Sequence, residues 1–165
     1  MILQIYTIIH TIISLIGIFT GLVALGGLLA GKRLDSWTKW FLITTTLTSV
    51  TGFFFPFHGF TPAIGVGIIS CIVLAIAIYA RYAKHLLGAW RWIYVISATI
   101  ALYFNCFVGV VMAFRRVPAL HALAPTQTEP PFQHTQLVVL AIFIVLTIIA
   151  VIKFKVEPSA HPWSG

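Results

Sequence analysis

Five apolar runs, each bounded by charged or helix-breaking residues, constrain the fold of this chain more than any other feature. They cover about residues 2–31, 37–55, 62–87, 91–114 and 132–154. A helix needs about 20 predominantly apolar residues to cross a bilayer, and each run approaches or exceeds that length. The runs are too long for membrane strands and lack the alternation of a barrel. We therefore predict an all-α integral membrane helical bundle, with five transmembrane helices in a single transmembrane domain of residues 1–165. The count would be four if the short second run re-enters from the inner side.

The balance of apolar and charged residues excludes an ordinary soluble domain. Apolar residues make up 60% of the 165 residues and charged residues only 8%, against roughly 25% charged in soluble domains. A surface that faces lipid does not need polar groups to cover it. The net charge of +7 comes from basic residues at the ends of apolar runs. This pattern is typical of headgroup anchors and disfavours nucleic-acid binding, which needs a basic face.

The ends of the runs carry recognisable helix signals. Lys32 and Arg33 end the first run, and Pro56 ends the second because it disfavours helix at the preceding residue. Thr61 is a candidate cap of the third run, and Gly88 is a candidate stop after it. We predict that the proline-rich connection, residues 115–131, is extended or turn-rich. The first run lacks the basic start of a cleavable signal peptide, so we expect the mature protein to retain it.

The distribution of lysine and arginine predicts the orientation. With the N-terminus outside and the C-terminus in the cytoplasm, eight basic residues lie inside: Lys32, Arg33, Lys39, Arg81, Lys84, Arg91, Lys153 and Lys155. Only Arg115 and Arg116 lie outside. This difference satisfies the positive-inside rule. We predict an integral protein of a bacterial inner (plasma) membrane, with the lipid bilayer as its surroundings.

Small and polar residues indicate which helix faces pack together. On the first helix they recur every three or four residues, at Thr7, His10, Ser14, Gly17, Gly21 and Ala24. The pairs Gly17/Gly21 and Gly27/Gly31 have the small-xxx-small spacing of close helix packing. The same glycines could instead make room for a flat ligand. The threonine-rich second helix could be bent by bonds to its own backbone, or could line a channel.

A layer of polar or sulfur-containing side chains is predicted at one depth in the outer half of the membrane. Its members are His10, Thr48, Cys71, Asn105 and Cys106. His10 is the one histidine well inside a run, and an intramembrane ionisable residue is a candidate functional residue. A neutral imidazole bonded to Asn105 or Thr48 could simply fix the helix register.

The same layer could hold a cofactor. Haem b could use His10 as an axial ligand with Gly17 making room for the ring, and Asn105 and Thr48 beside it. Copper or zinc could use His10 with Cys71 or Cys106, although their spacing matches no metal motif. The cysteines could also be small buried apolar residues.

The residues predicted at the outer membrane surface, called the outer rim, and the three acidic residues do not form a complete catalytic set. Rim candidates are His58, Arg115, Arg116, His121 and His134, which are either solvated or part of an outer polar site. The acidic residues Asp35, Glu129 and Glu157 all fall outside the predicted membrane core, which disfavours a proton relay. The chain has no Ser-His-Asp order, Gly-rich phosphate loop or HExxH motif.

Two segments carry a family resemblance. Residues 117–132 (VPALHALAPTQTEPPF) and 51–62 (TGFFFPFHGFTP) resemble those of small uncharacterised bacterial polytopic inner-membrane proteins. The likeness covers most of the chain and implies no activity, cofactor or functional residue.

The helices carry rows of small and polar residues suited to packing, and no carboxylate falls within the predicted membrane core. Together these features favour a non-enzymatic bundle. It would be an accessory subunit of a larger membrane assembly or would associate with itself. One alternative is a membrane redox or ligand-binding protein holding haem, quinone or a metal near His10. Another is a channel or facilitator.

Overall fold

The computed structural model describes residues 1–56 and 59–156, and every regular element in them is helical. The elements are α1 (Ile2–Leu29), α2 (Asp35–Gly52), α3 (Pro62–Ile78), α4 (Trp90–Arg116), α5 (Pro118–Leu123) and α6 (Pro130–Lys153). A π-helical turn, Tyr79–Ala83, continues α3. The all-α prediction is confirmed.

Four helices in the described ranges are long and apolar enough to cross a membrane. They are α1, α3 with its π-helical turn, α4 and α6. This result is typical of an integral membrane protein. The second predicted span, α2, has 18 residues and is not among the four, because Asp35, Lys39 and a run of hydroxyl side chains lower its hydropathy.

The third helix ends earlier than the sequence predicted. The α-helix stops at Ile78 and the π-helical turn ends at Ala83, four residues before Leu87. His85 and Leu86 have positive φ, and the Leu86 amide donates to the Ala80 carbonyl at 3.0 Å. Leu86 is fully buried. Burial of this side chain fixes a tight left-handed turn where the sequence suggested further helix.

Two prolines of the 115–131 connection start helices, so the predicted extended or turn-rich segment is limited mainly to residues 124–129. Pro118 opens the short helix α5, and Pro130 opens α6. Proline fits the first helical turn because its φ is preset and its missing N–H has no intrahelical partner there. Thr61 caps α3 as expected, since its side chain accepts from the Ile64 amide.

The long helices alternate in direction, and α4 lies at the centre, contacting α1, α2, α3 and α6. At one end, called the Arg116 end, the Tyr6 hydroxyl of α1 donates to the Thr51 carbonyl of α2 at 2.6 Å. At the opposite end, called the Arg81 end, Arg91 of α4 donates to the Phe154 carbonyl after α6.

The main core lies toward the Arg81 end. Its buried members are Leu25, Leu28, Phe41, Leu42, Leu74, Ala77, Ala80, Leu86, Tyr94, Val95, Ala98, Ala101, Leu102, Phe143, Ala150 and Phe154. The first half of α1, by contrast, has no fully buried residue before Gly17. Packing therefore anchors α1 through its second half.

Candidate functional site

The glycines of α1 lie where α1 meets α2 and α4. A Cβ atom added at Gly17 would lie 3.2 Å from the Asn105 amide nitrogen and 3.3 Å from the hydroxyl oxygens of Thr44 and Thr45. A Cβ atom at Gly21 would lie 2.5 Å from Leu102. Side chains of the neighbouring helices thus occupy the space that these glycines provide.

Polar side chains connect α1, α2 and α4 along this contact, which we call the polar seam. It comprises His10, Ser14, Gly17, Thr45, Thr48, Thr51 and Asn105. The Asn105 amide donates to the Thr45 hydroxyl at 3.0 Å. The Ser14 hydroxyl lies 3.4 Å from that of Thr48, and His10 Nδ1 lies 2.9 Å from that of Thr51. Hydrogen bonds across helices satisfy polar groups that lipid cannot.

His10 and Asn105 belong to different levels of the polar seam. Asn105 lies beside Gly17, seven residues along α1 from His10, which is about 10 Å at the helical rise. The partner of His10 is Thr51, not Thr48 or Asn105. The prediction of a single layer assumed that α1 and α2 end at the same depth in the membrane. In the structure His10 lies beside Gly52, the last residue of α2. The residues of α1 before His10 therefore extend about two turns beyond the end of α2.

The hydrogen bonds around His10 favour one tautomer. The Thr51 hydroxyl donates to the Leu47 carbonyl at 2.6 Å, so it accepts a proton from His10 Nδ1. Nε2 then carries the lone pair, as a metal ligand or hydrogen-bond acceptor would need. The ring packs edge-on against Phe55, with centroids 5.0 Å apart, and lies near Tyr6.

The residues near Gly17 do not fit a haem. The cavity beside Gly21, Phe41 and Leu102 has a volume of about 10 Å³, which is about one water molecule. The glycine positions that would face the ring are filled by side chains. Among the described residues, the space beside Gly17 and Gly21 is therefore too small for a flat macrocycle.

The predicted metal ligands do not form a complete three-ligand set. Within residues 1–56 and 59–156, no group of three His, Cys, Asp or Glu side chains could hold a metal ion. His10, Cys71 and Cys106 therefore do not form a three-ligand set. Both cysteines are free and partly buried.

Several threonines of α2, which are the candidate lining of a channel, bond within the bundle. Thr44 and Thr51 donate to carbonyls of their own helix, those of Trp40 and Leu47. Thr45 and Thr48 contact side chains of α4 and α1. The inward face of α2 is occupied by neighbouring helices.

One rim residue lies on a sizeable cleft. Arg116 lines a space of about 480 Å³ together with Leu3, Gln4, Thr7 and Ile8 of α1. The other rim candidates are absent from the residues that line it: Arg115, His121 and His134. His58 lies outside the described residues. Gln4 was not identified as a candidate from the sequence. A single polar amide in the first turn of an otherwise apolar helix could have indicated it.

A buried arginine at the Arg81 end was also missed. Arg81 is 4% exposed, bonds to Asp35 at the start of α2 and lies 5.3 Å from the centre of the Tyr94 ring. The sequence signal was an arginine inside an apolar run with a single acidic residue on the same side of the membrane. Arg91 similarly donates to the Val151 carbonyl at 2.9 Å, near the negative end of the α6 dipole.

No protein family model, curated protein or solved structure matches this chain.

Proposed function

We propose that the protein is a five-span bundle of a bacterial inner membrane without catalytic activity, which works by associating with other membrane subunits or with copies of itself. The observation that carries the proposal is a contrast on α1. Its inward glycines, Gly17 and Gly21, are filled by the chain's own side chains, whereas its outward glycine, Gly26, has no heavy atom within 4 Å.

The packing of α2 supports its assignment as the fifth span. It lies antiparallel along α1, with Thr51 beside His10 and Phe41 beside Gly21. Its 18 residues extend about 27 Å, close to the thickness of the hydrocarbon core. Its outward side chains include Ile43 and Leu47. An apolar outward face and a polar inward face suit a membrane helix packed on a neighbour.

A reporter fused to the C-terminus tests this topology. Five spans with the N-terminus outside place the reporter in the cytoplasm, as the distribution of basic residues requires. An alkaline phosphatase fusion should therefore be inactive and a green fluorescent protein fusion bright. An active phosphatase with a dark fluorescent fusion would contradict the count or the orientation.

The open face of α1 is the proposed association surface. Leu22, Gly26 and Ala30 are exposed and four residues apart. Gly26 and Ala30 are small residues at this spacing, which lets another helix approach closely in lipid, where packing rather than the hydrophobic effect drives association. The expected pair Gly27/Gly31 does not serve this role, because Leu34 fills the space at Gly27.

Purification in a mild detergent, followed by measurement of particle mass, tests the association. We expect a homo-oligomer or a stoichiometric membrane partner. Gly26→Leu should shift the particle toward the monomer without unfolding it, because the added side chain meets open space. The matched control is Ala141→Leu on the exposed face of α6. A monomer without a partner, or equal effects of both variants, would contradict the proposal.

A second candidate function rests on His10. Its Nε2 makes no hydrogen bond to a described residue, and Phe55 and Tyr6 flank the ring. This arrangement supports a quinol, which could donate to Nε2, or a metal completed by ligands from another subunit. Extraction and quinone analysis, a visible spectrum and metal analysis of the purified protein test it. Loss of a bound species in His10→Ala would support this function, and unchanged content would contradict it.

A further inference from the structure

The cleft at the Arg116 end lies where α1 and α4 separate. The two antiparallel helices touch where Gly17 faces Asn105 and Gly21 faces Leu102. Arg116 lies eleven residues beyond Asn105, or about 16 Å along α4. There an open cleft of about 480 Å³ lies between the start of α1 and the end of α4.

The walls of the cleft combine apolar and polar groups. Leu3 and Ile8 are more than half exposed, and Arg116 supplies the single charge among the lining residues. Arg116 forms no ion pair with a described acidic residue, because Asp35 pairs at the opposite end and Glu129 bonds to threonines. Its charge is available to an anion.

The remaining two lining groups have complementary hydrogen-bonding capacity. The Thr7 hydroxyl donates to the Leu3 carbonyl at 2.8 Å, so its oxygen is left to accept. The Gln4 side chain makes no hydrogen bond to any described residue, and its amide can donate. A ligand that suits the cleft therefore presents an anion to Arg116 and Gln4 and a hydroxyl to Thr7.

The polar groups of the cleft favour a lipid headgroup over an apolar helix of another subunit. An apolar helix packed here would cover the Arg116 charge and the Gln4 amide without supplying a partner for either, whereas an anionic headgroup can bind both.

We propose that the cleft binds an anionic glycerophospholipid. The phosphate would lie on Arg116, whose planar guanidinium matches phosphate oxygens, with the Gln4 amide as a second donor. A headgroup hydroxyl would donate to Thr7, and an acyl chain would lie along Leu3 and Ile8.

Native mass spectrometry of the full chain tests the site, using phosphatidylglycerol and phosphatidylcholine at equal concentration. Wild type should retain phosphatidylglycerol preferentially. Arg116→Gln should lower that preference about tenfold, the loss expected for one charge-assisted partner. The control, Arg115→Gln, removes the neighbouring charge that does not line the cleft and should change the preference less than about twofold. Arg116→Lys should retain part of the preference for phosphatidylglycerol. Lysine keeps the positive charge but lacks the planar guanidinium that can bind two phosphate oxygens at once.

Several results would overturn the proposal. Equal losses in both glutamine variants would indicate general charge attraction, and equal retention of both lipids by wild type would remove the headgroup requirement. Displacement of the lipid by glycerol phosphate at the same concentration would identify a site for free anions instead. If two copies of the chain associate and the dimer retains no lipid, the cleft would be a contact between proteins. If Arg116→Gln does not fold, a folded Arg116→Lys variant that keeps the full preference would equally overturn it, because the Arg116 guanidinium would then contribute nothing.

Discussion

The two ends of the bundle are built differently. At the Arg81 end, apolar side chains from α1, α2, α3, α4 and α6 form one core around Tyr94. A buried arginine is paired there, and Arg91 bonds to the end of α6. At the Arg116 end, helices meet through single hydrogen bonds, such as that of His10 with Thr51, and a cleft separates α1 from α4.

We infer from this difference that the Arg81 end mainly stabilises the fold and that the Arg116 end mainly binds other molecules. Burial and dispersion contacts are dense at the Arg81 end, so substitutions there should lower the free energy of unfolding most. The Arg116 end offers an unpaired cation and a histidine with an open ring nitrogen. Such groups can be changed at low structural cost, so substitutions there should alter binding more than folding.

The largest expected effect is that of Asp35→Asn. It leaves the Arg81 guanidinium buried without its carboxylate, a change that costs 3–5 kcal/mol for fully buried pairs. Because the Asp35 side chain is 67% exposed, solvent screens part of the attraction, and we expect about 2–3 kcal/mol. The measurement is unfolding in mixed micelles of rising SDS content.

The control for Asp35→Asn is Arg33→Gln. Arg33 also pairs with Asp35, at 3.4 Å, but its side chain is 48% exposed, so we expect less than about 0.5 kcal/mol. The double variant Asp35→Asn, Arg81→Met should recover stability, since neither charge then remains buried. Equal effects of the two single variants would show that Arg81 does not anchor this end.

The next effect is that of Gly21→Ala at the crossing of α1, α2 and α4. The added methyl group would lie 2.5 Å from Leu102 and 2.7 Å from Phe41. Overpacking of this kind typically costs about 1–3 kcal/mol. Gly26→Ala makes the same change on the same helix in open space and should be neutral or slightly stabilising. A smaller loss at Gly21 than at Gly26, measured in the same titration, would contradict the close packing.

The sequence predicted helix content well because long apolar runs have one solution in lipid. It also predicted a packing face at Gly17, from the three- and four-residue spacing on the first helix, and placed Asn105 in a polar layer. It could not predict that they meet each other, because the relative depth of two helices depends on tilt and on turns such as the one at Leu86. The Arg81–Asp35 pair was missed because the charge pattern assigned both residues to the membrane surface.

A smaller effect is expected within the polar seam. A double-mutant cycle with Asn105→Leu and Thr45→Val should give a coupling of about 0.6 kcal/mol, the average for hydrogen bonds between membrane helices. The bond spans 3.0 Å and is partly buried. A cycle with Asn105→Leu and the more distant Thr147→Val should show no coupling. Equal couplings in both cycles would show that the Asn105 bond is not specific.

The smallest effect concerns pH and the connection that precedes α6. Slight desolvation raises the pKa of Glu129, but hydrogen bonds from the Thr126 hydroxyl and the amides of Thr126 and Thr128 outweigh it. The pKa of Glu129 therefore lies below its usual value. The carboxylate stabilises this turn above its unfolded-state pKa, and that stabilisation is lost as pH falls through the lower, folded-state pKa.

Hydrogen exchange of residues 126–129, corrected for intrinsic rates, measures this loss. Protection in wild type should decline as the pH falls through the folded-state pKa of Glu129. Glu129→Gln should show weaker protection that is independent of pH in this window. A pH-dependent decline that persists in Glu129→Gln would assign the effect to another group.

The central claim is that α1 presents its open small-residue face to a partner in the membrane. Cross-linking in native membranes tests it directly, with Cys71 and Cys106 replaced by serine and a single cysteine placed at Gly26 or at Ala141. We predict that Gly26→Cys cross-links to a second copy or to one discrete partner, whereas Ala141→Cys does not. Absence of a product at Gly26, or equal products at both positions, would contradict the claim.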